Sequence, residues 1–304
     1  MKKKKLQMLI LLLVLVCLLA VLLGLRILNQ RQEEAADKKE ESEKIYVTDI
    51  EQLAGICFQN GEEEMCFEKA GEEDRWIYTA DPDFPLAQQY PEEMKAIFEK
   101  LEVKRELNGG DALAAYGLDT PQYQVTLTDQ DGKETCLYFG NAVDDGYYLT
   151  IDQTNKVYTV ENVIEPFGYS LEEMAQLDDY PNIGSGNLEK ETITQNGETT
   201  TYDSKEQDDA ENLAVVAGGL GAVTLSSAAD YSVEEEDLGK FGLNEEKRIT
   251  VEATYTEEEE EHLLTLYIGD EDGAGNRYVM VNDSRIVYLI SDAVCSNILN
   301  IEEE

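Results

Sequence analysis

The chain repeats itself in a fixed order. LAAYGLD at 113–119 returns as LGKFGLN at 238–244, an offset of 125. LYFG at 137–140 returns as LYIG at 266–269, Tyr148 of YYLTI meets Tyr278 of RYVMV, and VYTV at 157–160 returns as VYLI at 287–290. Upstream, QNGE at 59–62 returns as QNGE at 195–198, an offset of 136. Loop insertions and deletions make such offsets drift, whereas chance does not keep five landmarks in order. A tandem duplication therefore constrains the fold before any single motif does.

Each copy reads as the same α+β unit, mixed and mainly antiparallel with a packed helix. Ile56-Cys57-Phe58 leads through Asn60-Gly61 to Met65-Cys66-Phe67, a hairpin whose turn uses Asn-Gly. Trp76-Ile77-Tyr78 is a further strand. Pro91 opens a helix whose face is Met94, Ile97, Phe98 and Leu101, spaced i, i+3, i+4, i+7. Gly117 fits the left-handed residue that closes a short helix, with Leu118 returning to Leu113. Strands at 123–127, 135–139, 146–151 and 157–160 follow. In the second copy Gly242 is the closing residue, Leu243 returns to Leu238, and Ser232 with Glu235 reads as a capping box. DDAENLAVVAGGL (208–220) stands in the helix position, with Gly218-Gly219-Leu220-Gly221 read as a loose helix end. Turn formers at 178–187 place the boundary, giving repeats at 45–180 and 181–304.

Ahead of the repeats, Met8 to Leu25 is a run of 18 residues without a charge. With Leu6 and Ile27-Leu28 it is long enough to cross a bilayer as a helix. No small-x-small cleavage site follows, so 6–28 reads as an uncleaved transmembrane anchor. Lys2–Lys5 precede it, and dragging them through a bilayer is costly. That sets 1–5 in the cytoplasm and the repeats outside, a single-pass topology at the cell membrane, with 29–44 as a charged stalk. The first 44 residues hold nine Lys/Arg and six Asp/Glu, so the other 260 carry a net charge of −44. Such a surface repels nucleic acid and favours cations or basic partners.

YGLDTPQYQVTLTDQDGKETCLYFG, then GYYLTIDQTNKVYTV, preceded by a Trp-bearing strand, resembles the bacterial domain-of-unknown-function 4340 family. The resemblance covers roughly 45–300. It implies a single N-terminal anchor and an extracytoplasmic α+β domain. It also implies an association with ABC transporters of the gliding-motility auxiliary type. The second copy departs from the pattern: Glu245-Glu246 replaces Thr-Pro, and its Trp strand is missing.

Residues for chemistry are sparse. His262, in EEEEEHLL, is the one histidine, so a Ser-His-Asp apparatus or a His-rich zinc site would rest on it alone. It reads as an exposed loop residue at the start of a strand. Asp270, Asp272 and Asn276, and Asp144 and Asp145 at the matching place, form acidic Gly-bearing loops. They are the metal candidates, though EF-hand spacing is absent and such loops are ordinary turns. No Walker sequence occurs and no cofactor is implied. A loop of Asn60–Glu63 would set Cys57 opposite Cys66 for a disulfide, whereas a two-residue Asn-Gly turn would put them out of register. Cys136 and Cys295 read as small core residues.

These features lead to the expectation of a non-catalytic, membrane-anchored extracytoplasmic binding or scaffold module, an auxiliary component beside an ABC transporter permease. Tethering would raise its local concentration for that partner. An extracellular cation- or envelope-polymer-binding protein is the second reading. A hydrolase using paired carboxylates is the third.

Overall fold

The computed structural model describes residue 26 and residues 44–60, 63–71, 74–107, 111–152 and 154–301. The anchor at 6–28 lies outside the described residues apart from Arg26, and so does the stalk up to Lys44. Among the described residues no helix is long and apolar enough to cross a membrane. By compactness the chain divides into residues 1–59 with 93–166, and residues 60–92 with 167–304.

The first copy contains β1 (Ile45–Tyr46), β2 (Leu53–Asn60), β3 (Glu63–Ala70), β4 (Arg75–Tyr78), α1 (Gln89–Phe98), β5 (Glu102–Val103), β6 (Arg105–Leu107), β7 (Tyr123–Asp129), β8 (Glu134–Val143), β9 (Gly146–Ile151) and β10 (Val157–Glu161). Its sheet runs β4-β3-β2-β7-β8-β9-β10-β6, while β1 and β5 pair separately. The second copy contains β11 (Leu188–Gln195), β12 (Glu198–Asp203), α2 (Ala210–Ala222), β13 (Ala228–Asp230), β14 (Ile249–Glu257), β15 (Glu260–Glu271), β16 (Asn276–Val281), β17 (Val287–Ser291) and α3 (Asp292–Ile298). Its sheet runs β12-β11-β14-β15-β16-β17-β13. Strip β4 from the first order and the two match strand for strand. The mixed, mainly antiparallel α+β class and the duplication thus hold as the sequence implied, while the expected N-terminal transmembrane helix has no support among the described residues.

The shared landmarks have local causes. Gly117 (φ 70°) and Gly242 (φ 68°) take the left-handed conformation after 3-10 turns at Leu113–Tyr116 and Glu235–Phe241. The next N–H returns to the turn's first leucine or its counterpart: Leu118 to the Leu113 carbonyl at 3.1 Å, Leu243 to that of Leu238 at 2.9 Å. Each turn docks where a strand irregularity carries a glycine, Gly140 under Tyr116 and Gly269 under Phe241. An edge-on aromatic pair completes each joint, Tyr116–Tyr148 at 4.9 Å and Phe241–Tyr278 at 5.0 Å.

Three sequence expectations change. Strand β2 continues through Asn60 and β3 begins at Glu63, so Asn60 belongs to a strand and not to the hairpin's turn. In the second copy the turn is Asn196-Gly197, both with positive φ (52° and 80°). The capping box at Ser232 does not form: its hydroxyl donates to Asp81, and the 3-10 turn starts after Glu234 without a side-chain cap. Helix α2 is not loose at Gly218–Gly221 but runs on to Ala222. A side chain at Gly219 would meet the Ile298 amide nitrogen at 2.6 Å, so that glycine lets two helices approach closely.

The second unit's core joins the inner faces of β11, β14, β15, β16 and β17 to α2 and α3 through Val216, Leu220, Val251, Leu266, Tyr288 and Ile298. A strap at 167–187 is tied to it. Tyr288 is fully buried and donates to Asp178 at 2.7 Å, and Ser284 donates to the same oxygen at 2.5 Å.

Candidate functional site

The side chains singled out in the sequence are occupied in folding. Asp145 accepts from Lys104 at 2.6 Å, a bond that holds its carboxyl below the usual carboxylate range. Asp144 takes a positive φ (51°) in the β8–β9 turn. Asp272 accepts from the side chain of Asn276 at 2.8 Å and from the backbone of Ala274 and Asn276, which lowers its pKa. Asp270 packs under Gly242. Among the described residues, no three His, Cys, Asp or Glu side chains converge to hold a metal ion. His262 lies on β15, half-buried rather than in an exposed loop, its ring stacked on Tyr255 at 5.5 Å. Cys57 and Cys66 are disulfide-bonded. Cys136 is half-buried beside Thr126, and Cys295 is fully buried with its thiol pushed up to about 12 by burial.

The informative residues are those at which the two copies differ. The ladders fix the comparison. Phe58 pairs with Val125 and Val125 with Leu137; Ile193 pairs with Val251 and Val251 with Leu266. LYFG and LYIG equate Leu137 with Leu266, so Phe58 corresponds to Ile193, an offset of 135. Ile56 then corresponds to Glu191, and its neighbour Leu127 to Ala253. The same offset equates Glu63 with Glu198, the first residues of β3 and β12, and so Phe67 with Tyr202. Ile56, Leu127 and Phe67 are each apolar and at most 1% exposed. The second copy puts Glu191, Ala253 and Tyr202 in those places.

Glu191 is 0% exposed, and neither carboxylate oxygen has a hydrogen-bond partner among the described residues. Burial alone raises its pKa from 4.5 to about 8. The Tyr180 hydroxyl, from the strap, is also buried without a partner, and burial, then Cys295, Glu191 and Tyr255, raise it. Helix α2 packs over β11 and β12 with Leu213, Val216, Ala217 and Leu220 inward. Among the described residues no cation offsets the acid, so burial favours the neutral carboxyl. Frame offset, not motif, is the signal that finds it. Matching the two QNGE tetrapeptides sets Glu191 against Gly55 and hides the exchange.

The other difference lies at the sheet edge. Strand β3 carries β4 on its flank, pairing Phe67 with Tyr78 and Lys69 with Trp76. The far side of β4 is itself closed by Gln88. The Trp76 N–H donates to its Oε1 at 2.8 Å, and its Nε2 donates to the Trp76 carbonyl at 2.9 Å and that of Leu86 at 3.0 Å. The Trp76 indole donates to Glu92 at 2.7 Å. The corresponding strand β12 ends the second sheet, with no strand beside it among the described residues. A cavity of about 210 Å³ opens against its inner face, lined by Ile193, Thr200, Tyr202, Leu299 and Ile301 among others. Asn300 holds the corner, donating to Tyr202 at 2.9 Å and to Asn212 at 3.1 Å.

Comparison with curated proteins and with solved structures finds no match. A family model described as a domain of unknown function (DUF4340) matches twice, over residues 76–215 and 199–301, once for most of each copy. The chain belongs to that family.

Proposed function

We propose that the protein is a non-catalytic binding or scaffold module, held at the outer face of the cell membrane by residues 6–28 and working beside an ABC transporter through contact with its permease. The observation that carries the reading is the asymmetry of the two copies. They share a frame, yet the first closes its sheet edge with β4 and Gln88, while in the second no strand covers the same edge among the described residues. A repeated scaffold with one open edge suits contact with another chain. The Cys57–Cys66 disulfide accords with an oxidising, extracytoplasmic setting. Tethering then raises the module's effective concentration near membrane partners. The test is purification of the full-length protein in a gentle detergent. A permease and an ATPase should co-purify with it, and recovery of the protein alone refutes the reading.

A further inference from the structure

We infer that the free edge of β12 (Glu198–Asp203) is a docking site for an extended, basic strand of a partner protein, added antiparallel. The inference rests on the binding-module reading above and names its surface. The template is internal. In the first copy the equivalent strand β3 accepts β4 in this place, antiparallel, with Tyr78 opposite Phe67.

The edge is chemically available. With a two-residue turn, Gln195 and Glu198, Ile193 and Thr200, and Glu191 and Tyr202 are the pairs that exchange hydrogen bonds. The main-chain groups of Thr199, Thr201 and Asp203 therefore face outward. Asp203 N–H is taken by Asp209 at 3.0 Å. Those of Thr199 and Thr201 have no partner among the described residues, and both side chains are exposed. A residue arriving opposite Tyr202, in the place of Tyr78, would reach the cavity beside Thr200 and Leu299. Ile301, at its rim, is 55% exposed, apolar surface that an added strand would cover.

Charge selects the occupant. Glu198, Asp203, Glu206 and Asp208 cluster along and just beyond β12, in a chain of net charge −41. A strand bearing Lys or Arg gains there, whereas a second molecule of this chain would bring the same acids to the contact.

The probe is a synthetic peptide, Lys-Lys-Arg-Trp-Ile-Tyr-Thr-Lys-Lys, built on Arg75–Thr79 and titrated by fluorescence anisotropy into the full-length protein in mild detergent. Saturable binding is expected, weakening as salt rises. Thr201→Pro, which removes an outward N–H and leaves the ladder to β11 intact, should weaken it at least tenfold; Thr201→Val should not. A peptide N-methylated on the amides that would face β12 should lose binding to the same degree, a control independent of protein folding. Equal binding by Thr201→Pro and wild type, or none at millimolar peptide, overturns the proposal. So does a homodimer in analytical ultracentrifugation that Thr201→Pro dissolves, because the edge then belongs to a second molecule. If a permease still co-purifies with Thr201→Pro, the docking site is wrong and the functional reading stands. If the wild type is recovered alone, the functional reading fails, and the peptide titration still decides the edge.

Discussion

Replacing Glu191 by Gln should make the second unit's stability independent of a proton that the wild type must keep. The folded carboxyl has a pKa of about 8 against 4.5 in a solvated chain, raised by burial. Below pH 4.5 both states are protonated and the acid costs nothing further. As pH rises towards 8 the unfolded chain gives up its proton while the folded one holds it, so stability falls by about 1.4 kcal/mol per pH unit. From pH 5 to pH 8 the loss is about 4 kcal/mol, a large part of a domain's net stability. The groups around the acid do not rescue it: burial raises the Tyr180 and Tyr255 hydroxyls and the Cys295 thiol above their ordinary values and so keeps them uncharged, and the residues that α2 buries, Leu213, Val216, Ala217, Gly219 and Leu220, bring no charge. The nearest imidazole, His262, stacks on Tyr255. Trp76 is the single tryptophan, 2% exposed and in the same compact unit, so its fluorescence can follow urea unfolding of the full-length protein in mild detergent. Between pH 5 and 8 the wild type should lose about 4 kcal/mol more than Glu191→Gln. Glu191→Ile, which copies Ile56, should share the flatter profile. Parallel profiles for wild type and both variants would refute the reasoning.

Four further variants test how the frame is built. Gly219→Ala drives a Cβ to within 2.6 Å of the Ile298 nitrogen and should cost about 2–3 kcal/mol in urea unfolding. Gly218→Ala, one residue away with open space around it, should gain about 0.5–1 kcal/mol. Gln88→Leu removes three hydrogen bonds that close the β4 edge. It should cost about 1–3 kcal/mol and appear as concentration-dependent association in light scattering. The β14–β15 turn holds Glu258 and Glu259 at φ 50° and 70°. Glu258→Asn with Glu259→Gly suits that turn and should raise stability by about 1 kcal/mol, read as a higher melting temperature.

Much of the frame was legible because its signals are local. A glycine that must take positive φ, a leucine returning to close a turn and an aromatic at a fixed strand position each carry their reason within a few residues. Strands β6 and β13 were not legible. Three residues long, they are too short to show a period, and long-range pairing with β10 and β17 defines them. Helix α3 was hidden by its seven-residue length. The candidate site was missed for a different reason. QNGE marks the same hairpin twice, but one residue out of frame, and a one-residue slip exchanges the two faces of a strand. In LEKETITQ, Glu191 looks like any solvated acid among three charges. Only the ladders set it against Ile56.

An internal duplication separates what the fold needs from what it merely tolerates. Where the copies agree, a fold-level cause is at hand: Gly140 and Gly269 leave room for the turn that docks on them, and Tyr116–Tyr148 and Phe241–Tyr278 pack the same joint. Where they differ, the first copy shows that the fold permits a cheaper solution. Ile56 fills the corner that Glu191 occupies at a cost, and β4 covers the edge that β12 leaves open. Neither departure is required by the frame, and both lie on one hairpin, in the paired strands β11 and β12. A drift towards stability would have removed the unpaired acid first. On the binding reading proposed above, the hairpin is where selection for contact, not for folding, would have acted on this chain.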